Sequence, residues 1–498
     1  MSVIKKLASQ TAIYGLSSIV ARFFNYLLTP LYTSKAVFSP DQYGIISEMY
    51  AYVAFLVVFL TYGMETAFFR FSSKDEFKSD KVYSTVLISL LSSTGIFILT
   101  AWIFAQPIAD FLLYPDHKEY VIWFAIIVGL DAVSSIPLAR LRKEHRAIRF
   151  AMVNLINIIV NIGLNLFFLA YCMQKYKAGE HNFWVDTFYD PNIGVGYVFI
   201  SNLISSIVKF LLLTPQMEKI THGFNSAYWK KMMVYALPLL IVGLAGMINE
   251  TIDRVMLKRM LYDDYGEVKT NAIVGIYSGV YKISIIITLF IQAFRYASEP
   301  FFFAEEKSAN AQRTYAKVMN YFVMVCAIIF LFVMLFIDVL KYFTPNPAYW
   351  EALHIVPVLL MANVFLGIYY NQAIWYRLTG KTMYGAYISL GGAILTIVIN
   401  YLFIPYYTYE ASAWATFICY GSMMLASHYF GQKFYPVPYN IGKIIMYMIF
   451  SFGLYLISTQ LHLEGAVKYC VNAVILFGFI GFIYFVEFKR RMPVTREN

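Results

Sequence analysis

Four charged side chains stand in long apolar stretches with no opposite charge three or four residues away: Arg22, Glu65, Asp131 and Lys282. An ionised residue at the centre of a membrane helix costs about 2.5–3.5 kcal/mol on insertion scales, so each must face a polar cavity or a partner. Arginine can bind a dense anion through two parallel hydrogen bonds, and lysine acts as a point charge. A carboxyl group in such a place can bind Na⁺ or exchange H⁺. The four residues are therefore candidates for an anion site and for an ion-coupling site.

Two further arginines have an acid four residues away on the same helical face. Arg254 follows Glu250, and Arg295 precedes Glu299. Neighbours at this spacing can neutralise each other, so a local structural pair is the favoured interpretation of both. Binding of an anionic substrate by Arg254 and Arg295 remains the alternative.

The other candidates have a plainer interpretation beside the functional one. Arg70 and Lys209 lie near the ends of apolar stretches and are expected to extend to water or lipid phosphate. Tyr50 and Tyr281 could stack on a sugar ring, although tyrosines also form belts at membrane interfaces. For Arg22, the alternative to anion binding is a pair with one of the two acids, Glu65 or Asp131.

Composition places these residues in a membrane protein. Of the 498 residues, 60% are hydrophobic and 14% charged, and the mean hydropathy is +0.60. A soluble domain has about 25% charged residues, so this chain could not cover a water-facing surface. Soluble enzymes, nucleic-acid binders and secreted scaffolds are excluded. The net charge of +10 is then an indicator of topology and not of nucleic-acid binding.

Apolar stretches of about 20 residues, long enough to cross a bilayer, recur along the whole chain. With the N-terminus inside, most of the 39 Lys and Arg residues fall on the cytoplasmic side, as the positive-inside rule requires. Lys258 and Arg259 are then assigned to an external segment, and both termini are cytoplasmic. We predict an all-α polytopic membrane protein with fourteen transmembrane helices near 7–33, 44–71, 83–113, 120–139, 150–173, 192–214, 232–256, 272–301, 318–343, 352–376, 383–405, 411–432, 441–461 and 466–487.

An internal repeat organises these helices. Residues 43–50 (YGIISEMY) and 274–281 (VGIYSGVY) share Gly, Ile, Ser and Tyr at four equivalent places, six predicted helices apart. Copies separated by an even number of helices run in the same direction, which is a common transporter plan. We therefore predict an N-terminal lobe (1–228), a C-terminal lobe (229–434) and an addition of two helices with a basic tail (435–498). A central cavity would separate the lobes, with Arg22 and Lys282 on opposite sides of it.

The stretch 27–71 resembles the opening of the polysaccharide-transporter branch of the MOP superfamily. It contains the Pro-acidic-x-Tyr-Gly step of that branch at 40–44, followed by Gly63 and Arg70. The Tyr-x-Leu-Pro step at 235–238 also fits, and fourteen helices match this branch, whereas the related multidrug exporters usually have twelve. The resemblance implies a flippase that moves a lipid-linked oligosaccharide across the bacterial cytoplasmic membrane by alternating access, as O-antigen or capsule flippases do.

Combined with the residues, the resemblance gives a specific hypothesis. A polyprenyl-pyrophosphate-linked glycan would bind with its pyrophosphate near Arg22 and Lys282, and Glu65 and Asp131 would bind a coupling Na⁺ or H⁺. No other cofactor, no metal and no nucleic acid is expected; membrane lipid is a partner, and polysaccharide polymerase machinery is a candidate one. The chain is not expected to be an enzyme.

Three alternatives remain open: a cation-coupled multidrug exporter, a lipid II flippase, and a membrane polysaccharide polymerase or ligase. The chain has fewer arginines near the midplane than the cluster that the resemblance implies for lipid II flippases. It also has no long external loop that could carry a catalytic centre.

Overall fold

The protein is a bundle of helices. A computed structural model describes residues 20, 23–306 and 308–488, and this part of the chain contains no β-strand. Eleven of its helical segments are long and apolar enough to cross a membrane. The prediction of an all-α polytopic membrane protein is therefore confirmed. The number of fourteen spans stays a prediction, because the first predicted span lies mostly outside the described residues and two of the eleven segments each contain two helices merged across a kink.

The helices follow one another with short connections. The first ten are α1 (Thr29–Tyr32), α2 (Pro40–Thr61), α3 (Met64–Ser72), α4 (Ser79–Ile103), α5 (Ala105–Phe111), α6 (Lys118–Lys143), α7 (Ala147–Asn165), α8 (Met173–Lys177), α9 (Phe183–Phe188) and α10 (Gly196–Leu213). The others are α11 (Ser226–Tyr281), α12 (Ile285–Glu305), α13 (Ala311–Leu335), α14 (Ile337–Leu340), α15 (Val356–Gln372), α16 (Ile374–Leu378), α17 (Met383–Phe434), α18 (Ile441–Gln460) and α19 (Gly465–Phe488). A π-helical segment, Leu166–Cys172, joins α7 to α8, and a 3₁₀ turn, Lys282–Ser284, joins α11 to α12.

The chain divides into two compact units. The first is Met1–Gly279 with Ser389–Ser412, and the second is Val280–Ile388 with Ala413–Asn498. In the first unit, α2, α3, α4, α6 and α11 share an apolar core that includes Met64, Phe68, Leu87 and Ile136. In the second unit, a smaller core around Tyr369 and Tyr420 joins α15 to α17. The lobes and additional helices predicted from the repeat stay a prediction.

The first repeat helix is interrupted, contrary to the continuous helix predicted over 44–71. Ser39 caps α2 together with Gln42, whose side-chain oxygen accepts a hydrogen bond from the Ser39 amide at 3.2 Å, an arrangement that satisfies amides at a helix start. Tyr62 and Gly63 both have positive φ, 31° and 71°. This conformation is unfavourable for most residues, and it ends α2 before α3 begins.

The helix that precedes the second repeat copy extends further than its sequence suggests. We predicted a span ending at 256 and an external segment after it, because charged residues become frequent there. In the structure α11 continues to a break at Gly266, where φ is 73° and ψ is 173°. The predicted end of this helix at 256 is therefore wrong: Lys258 lies inside α11 and is completely buried, and the side of the membrane on which it lies stays a prediction.

Large apolar side chains cover much of the outer surface. Ile148, Val234, Tyr406 and Val474 are each more than 70% exposed, although soluble proteins rarely expose large contiguous apolar patches. A bilayer accepts such a surface, because the lipid tails are as apolar as the side chains.

Candidate functional site

The beginnings of the two repeat copies, around Gly44 and Gly275, pack against each other within the first unit. A β-carbon added to Gly44 would overlap the carbonyl oxygen of Asn271, and one added to Gly275 would overlap the carbonyl oxygen of Pro40. Only glycine permits so close an approach of two backbones. The shared glycine of the motif therefore marks the place where α2 and the end of α11 touch.

A buried ion pair joins α2, one turn further along, to the part of α11 that precedes the break at Gly266. The Lys258 ammonium lies 3.4 Å from Oε2 of Glu48, and these side chains are 0% and 1% exposed. The Tyr114 hydroxyl donates to the same Glu48 oxygen at 2.5 Å. The ammonium also lies 3.3 Å from the centre of the Tyr114 ring, where the ring face attracts a cation. Tyr114 thus contacts both charges.

A second acid is held on α11 itself. Asp253 accepts from Nη1 of Arg254 at 2.8 Å through Oδ1 and from the Tyr277 hydroxyl at 2.5 Å through Oδ2. Arg254 also donates to the backbone carbonyl of Glu250 at 2.6 Å. The expected local pair of Arg254 therefore has Asp253 as its carboxylate, while Glu250 contributes its backbone oxygen.

We call Glu48, Asp253, Arg254 and Lys258 the buried charge cluster. Its two acids and two bases balance, and each acid also accepts a hydrogen bond from a tyrosine. Removing one partner of a buried pair leaves an uncompensated charge, which is strongly destabilising. The cluster can therefore hold α2 against α11, and a change in the charge of one member would weaken that contact.

An apolar cavity of about 410 Å³ lies beside the cluster in the first unit. Its walls come from α2, α4, α5, α6 and α11 and include Tyr52, Phe97, Phe124 and Ile252. The volume is within the usual range of ligand pockets. Its lining suits a hydrocarbon chain and offers little to a sugar or a phosphate.

The two acids predicted to couple an ion each have a basic partner. Glu65, at the start of α3, forms an ion pair with Arg142 near the end of α6. Asp131 forms an ion pair with Lys209 of α10 and accepts from the Ser206 hydroxyl at 3.2 Å. The expectation that Lys209 extends to water or lipid is therefore wrong, because its ammonium is turned inward to Asp131.

The tyrosines and arginines predicted to contact substrate lie in different surroundings. Tyr50 accepts from Nδ2 of Asn202 at 3.0 Å and packs edge-on against Phe124 and Phe199. In the second unit, Arg295 lies over the ring of Tyr370 at 4.8 Å.

The predicted pyrophosphate site is described only in part. Arg22 lies outside the described residues. Lys282 opens the 3₁₀ turn between α11 and α12, directly after Tyr281, and both side chains are partly buried. A short 3₁₀ stretch between two helical segments often marks a hinge. That Arg22 and Lys282 face each other stays a prediction.

Sequence reasoning missed Glu48, Asp253 and Lys258. Glu48 stands inside the quoted repeat motif, where the second copy has Gly279, and an acid within an apolar helix was the available signal. Asp253 stands directly beside Arg254 in the sequence, a spacing that does not place two side chains on one face of a helix. Among the described residues there is no group of His, Cys, Asp and Glu that could hold a metal ion.

Comparison with known proteins is consistent with this fold. A solved structure of the lipid II flippase MurJ, in an inward closed conformation, matches with a TM-score of 0.71 and 12% identity, over 95% of this chain and 98% of that one. An inward-facing multidrug resistance MATE family transporter of the MOP superfamily matches with a TM-score of 0.64 and 14% identity, over 83% and 94%. A MOP superfamily transporter from Pyrococcus furiosus matches with a TM-score of 0.58 and 13% identity, over 85% and 95%. At such identities the likeness shows the fold alone.

A match to a family model, over most of the chain, identifies the protein family. No curated protein matches the chain, but the family model described as polysaccharide biosynthesis protein matches residues 7–306, which is more than half of the chain. The repeat and the helical fold agree with this match, and the chain belongs to the polysaccharide biosynthesis protein family.

Proposed function

We propose that the protein is a flippase that moves a polyprenyl-pyrophosphate-linked oligosaccharide across the cytoplasmic membrane by alternating access, for surface polysaccharide synthesis. Membership of the polysaccharide biosynthesis protein family supports a glycan as part of the transported molecule. The fold supports movement of a lipid-linked molecule between the two leaflets, because a lipid II flippase shares this fold over nearly the whole chain. Moving a lipid-linked glycan between leaflets requires no covalent chemistry.

The observation that carries the mechanism is the contact between the two repeat copies. Alternating access requires a contact between repeats that is specific when closed and can open. The contact of Gly44 with Gly275 provides close and specific packing. The Glu48–Lys258 ion pair adds a charged contact, and both side chains can be hydrated when the helices separate and water enters. On the predicted sidedness, the start of α2 faces outward, so this contact closes the outer side.

The substrate site remains the one expected from sequence, with two qualifications. Arg22, Lys282 and Arg295 are proposed to bind pyrophosphate, and Tyr281 to stack on a sugar. Arg254 could bind an anion only by leaving Asp253, and Tyr50 could stack on a sugar only by leaving its aromatic neighbours. These two residues are therefore proposed to act in a rearranged state.

Coupling is proposed to use Glu65 and Asp131, whose carboxylates are held by Arg142 and Lys209. Both acids are partly exposed, with side-chain exposures of 38% and 27%, so neither carboxylate is enclosed by the protein. Binding of H⁺ or Na⁺ to either carboxylate would compete with its basic partner.

The proposed function is tested in cells that lack this protein. Polyprenyl-linked saccharides are extracted, and their amount and sidedness are compared with those of the parent strain. We expect one complete repeat unit to accumulate facing the cytoplasm, and expression of the Gly44→Leu variant not to relieve the accumulation. An unchanged lipid-linked pool would contradict the proposal.

A lipid II flippase is the second candidate, because the structure of such a protein shares the fold. The discriminating measurement is growth of cells depleted of their own lipid II flippase. Rescue by this chain would favour lipid II as substrate. A rise in sensitivity to cationic toxins in the deletion strain, with an unchanged saccharide pool, would instead favour the multidrug alternative.

A further inference from the structure

A second, chemically different cavity lies in the first unit where three membrane-spanning segments end. It has a volume of about 740 Å³ and is lined by residues 145–149, Met152, Pro215 and Gln216. His145 and Arg146 join α6 to α7, residues 147–149 form the first turn of α7, and Gln216 ends the 3₁₀ turn after α10. The cavity therefore opens at the level where the bilayer meets water. We call it the basic cavity.

Its positive character comes from side chains and from the helix start. Arg146 and Arg149 line it together with His145. Arg146 occupies the N-cap position of α7, and no side chain caps this helix. The first amides of a helix have no partner within the helix and carry partial positive charge, which favours an anion beside them. Glu144 is the nearby acid; it is engaged by Arg140 at 2.7 Å and by Arg146 at 3.4 Å.

Two buried polar atoms in the wall of this cavity have no partner among the described residues. They are Nε of Arg149 and Oε1 of Gln216. Gln216 is only 8% exposed, and its backbone oxygen is fixed by the Tyr83 hydroxyl and by Nη1 of Arg140, both at 2.8 Å. Buried polar groups are normally hydrogen-bonded, so a pair of orphan atoms indicates a missing ligand or solvent. The two ends of an amide exchange places by rotation, so Gln216 can accept or donate.

An exposed apolar stripe runs from the basic cavity along α7. Ile148, Met152, Leu155 and Ile159 follow at intervals of four, three and four residues, so they lie on one face of the helix. Their exposures are 71%, 49%, 44% and 59%. The first two members also line the cavity. A ligand with a polar head in the cavity and a hydrocarbon chain on the stripe would contact both.

We propose that the basic cavity binds the headgroup phosphate of a membrane phospholipid, whose acyl chain lies on the α7 stripe. The phosphate accepts from Nε of Arg149, from the side chain of Arg146 and from the free amides at the start of α7. Basic pockets between helices at the membrane surface are typical sites for anionic headgroups. The continuity of cavity and stripe favours a lipid over a free phosphate ion. This site is independent of the proposed transport activity.

The test measures binding of phosphatidylglycerol to the purified full-length protein in detergent by native mass spectrometry. The R149Q and R146Q variants remove one positive charge each, and we expect each to weaken binding about fivefold, since a basic residue near a membrane surface contributes about 1 kcal/mol. The matched control is K230Q, which removes an exposed charge outside the cavity and is expected to leave binding unchanged. The Arg146 side chain is 60% exposed, so R146Q retains the fold even if R149Q does not.

A second arm separates the lipid from a free ion. The I148N and M152N variants are expected to weaken binding of phosphatidylglycerol but not of inorganic phosphate, and dioleoylglycerol, which lacks phosphate, should bind poorly to all forms. Equal affinity of the wild type and R146Q for phosphatidylglycerol would overturn the proposal. So would a loss of inorganic phosphate binding in R146Q with I148N still binding the lipid normally, because recognition of the phosphate alone would then account for binding and the α7 stripe would hold no acyl chain.

Discussion

The two ends of α6 carry two very different arrangements of charge. Before its first turn, Tyr114 contacts the buried charge cluster, in which two acids balance two bases and Glu48 and Lys258 are almost fully buried. Just after its last turn, the basic cavity opens with Arg146 and Arg149 in its lining. The 26 residues of α6 span about 39 Å at 1.5 Å per residue, roughly the thickness of a bilayer with its headgroups.

The difference indicates what each arrangement can do. A buried set of charges must be balanced by the protein itself, since neither water nor ions reach it. Such a set of charges can fix one packing of the helices, and it can let the helices separate when its balance is disturbed. A partly exposed excess of positive charge needs no internal balance and leaves room for an anion from outside. Substitutions in the buried charge cluster are thus predicted to change the stability of the fold. Substitutions in the basic cavity are predicted to change the binding of an anion.

The largest effect is expected when the cluster loses one acid. Glu48→Gln leaves the Lys258 ammonium buried without a counter-charge, which typically costs about 3–5 kcal/mol. We expect a marked fall in the unfolding temperature of the detergent-solubilised protein, partly restored by adding Lys258→Met.

The matched control for this change is Glu65→Gln, which breaks the partly exposed pair with Arg142. Partly exposed pairs contribute about 0–1 kcal/mol, so its unfolding temperature should change little. If both glutamine variants unfold alike, burial does not distinguish the two pairs and the comparison fails.

A smaller loss of stability is expected when a methyl group is added at the contact between the two repeat copies. Gly44→Ala and Gly275→Ala force two backbones apart, and overpacking of this kind typically costs about 1–3 kcal/mol. Gly246→Ala, in the part of α11 before the break at Gly266 and with open space around it, should be neutral or slightly stabilising because alanine favours helix. Thermal unfolding of the three variants checks this order, and a neutral Gly44→Ala would show that the helices can separate freely.

The coupling proposal predicts an effect on transport with little effect on stability. Asp131→Asn is expected to abolish gradient-driven transport of the lipid-linked saccharide in membrane vesicles while substrate binding survives. Lys209→Met breaks the same ion pair but leaves the carboxylate, so transport should persist in part. Equal loss in both variants would assign Asp131 a role in packing only, and unchanged transport in Asp131→Asn and Glu65→Gln would end the proposal.

The smallest effect concerns an ion pair in the second unit. Lys468 donates to the Asp338 carboxylate, and this hydrogen bond lowers the pKa of Asp338 below its ordinary value of 3.8. An acid with a lowered pKa in the folded state stabilises the protein above its unfolded pKa, and the benefit is lost as the pH falls through the folded value. Asp338→Asn should therefore lower the unfolding temperature slightly at neutral pH, and the difference from wild type should shrink below the ordinary pKa and disappear once the pH has fallen through the lowered pKa of the folded state. A difference that persists in acid would have another cause.

The sequence predicts the helices well because the bilayer demands long apolar stretches. It predicts their ends less well. The charged residues after 256 suggested an external segment, but a helix can bury a lysine when another helix supplies the counter-charge. Its end is set by Gly266, whose positive φ at that place is a property of the folded chain.

Most partners in the candidate site are distant in sequence, and this is why they escaped prediction. Glu48 meets Lys258, and Asp131 meets Lys209, through helix packing that no spacing of three or four residues reveals. The repeat motif nevertheless indicated the right place, since its shared glycines lie at the contact of α2 and α11. Nothing in the local sequence distinguished Gln216. Its importance depends on its side-chain Oε1, which lies in the wall of the basic cavity without a hydrogen-bond partner among the described residues.

The contact of Gly44 with Gly275 has a consequence for how this chain can vary. Each missing side chain is replaced by a main-chain carbonyl of the facing helix, and no substitution can remove a carbonyl. A larger residue at one position therefore cannot be compensated by a smaller one at the other. Among homologues, both positions should remain glycine independently of each other, while Gly95 and Gly246, which face open space, should drift to alanine or serine.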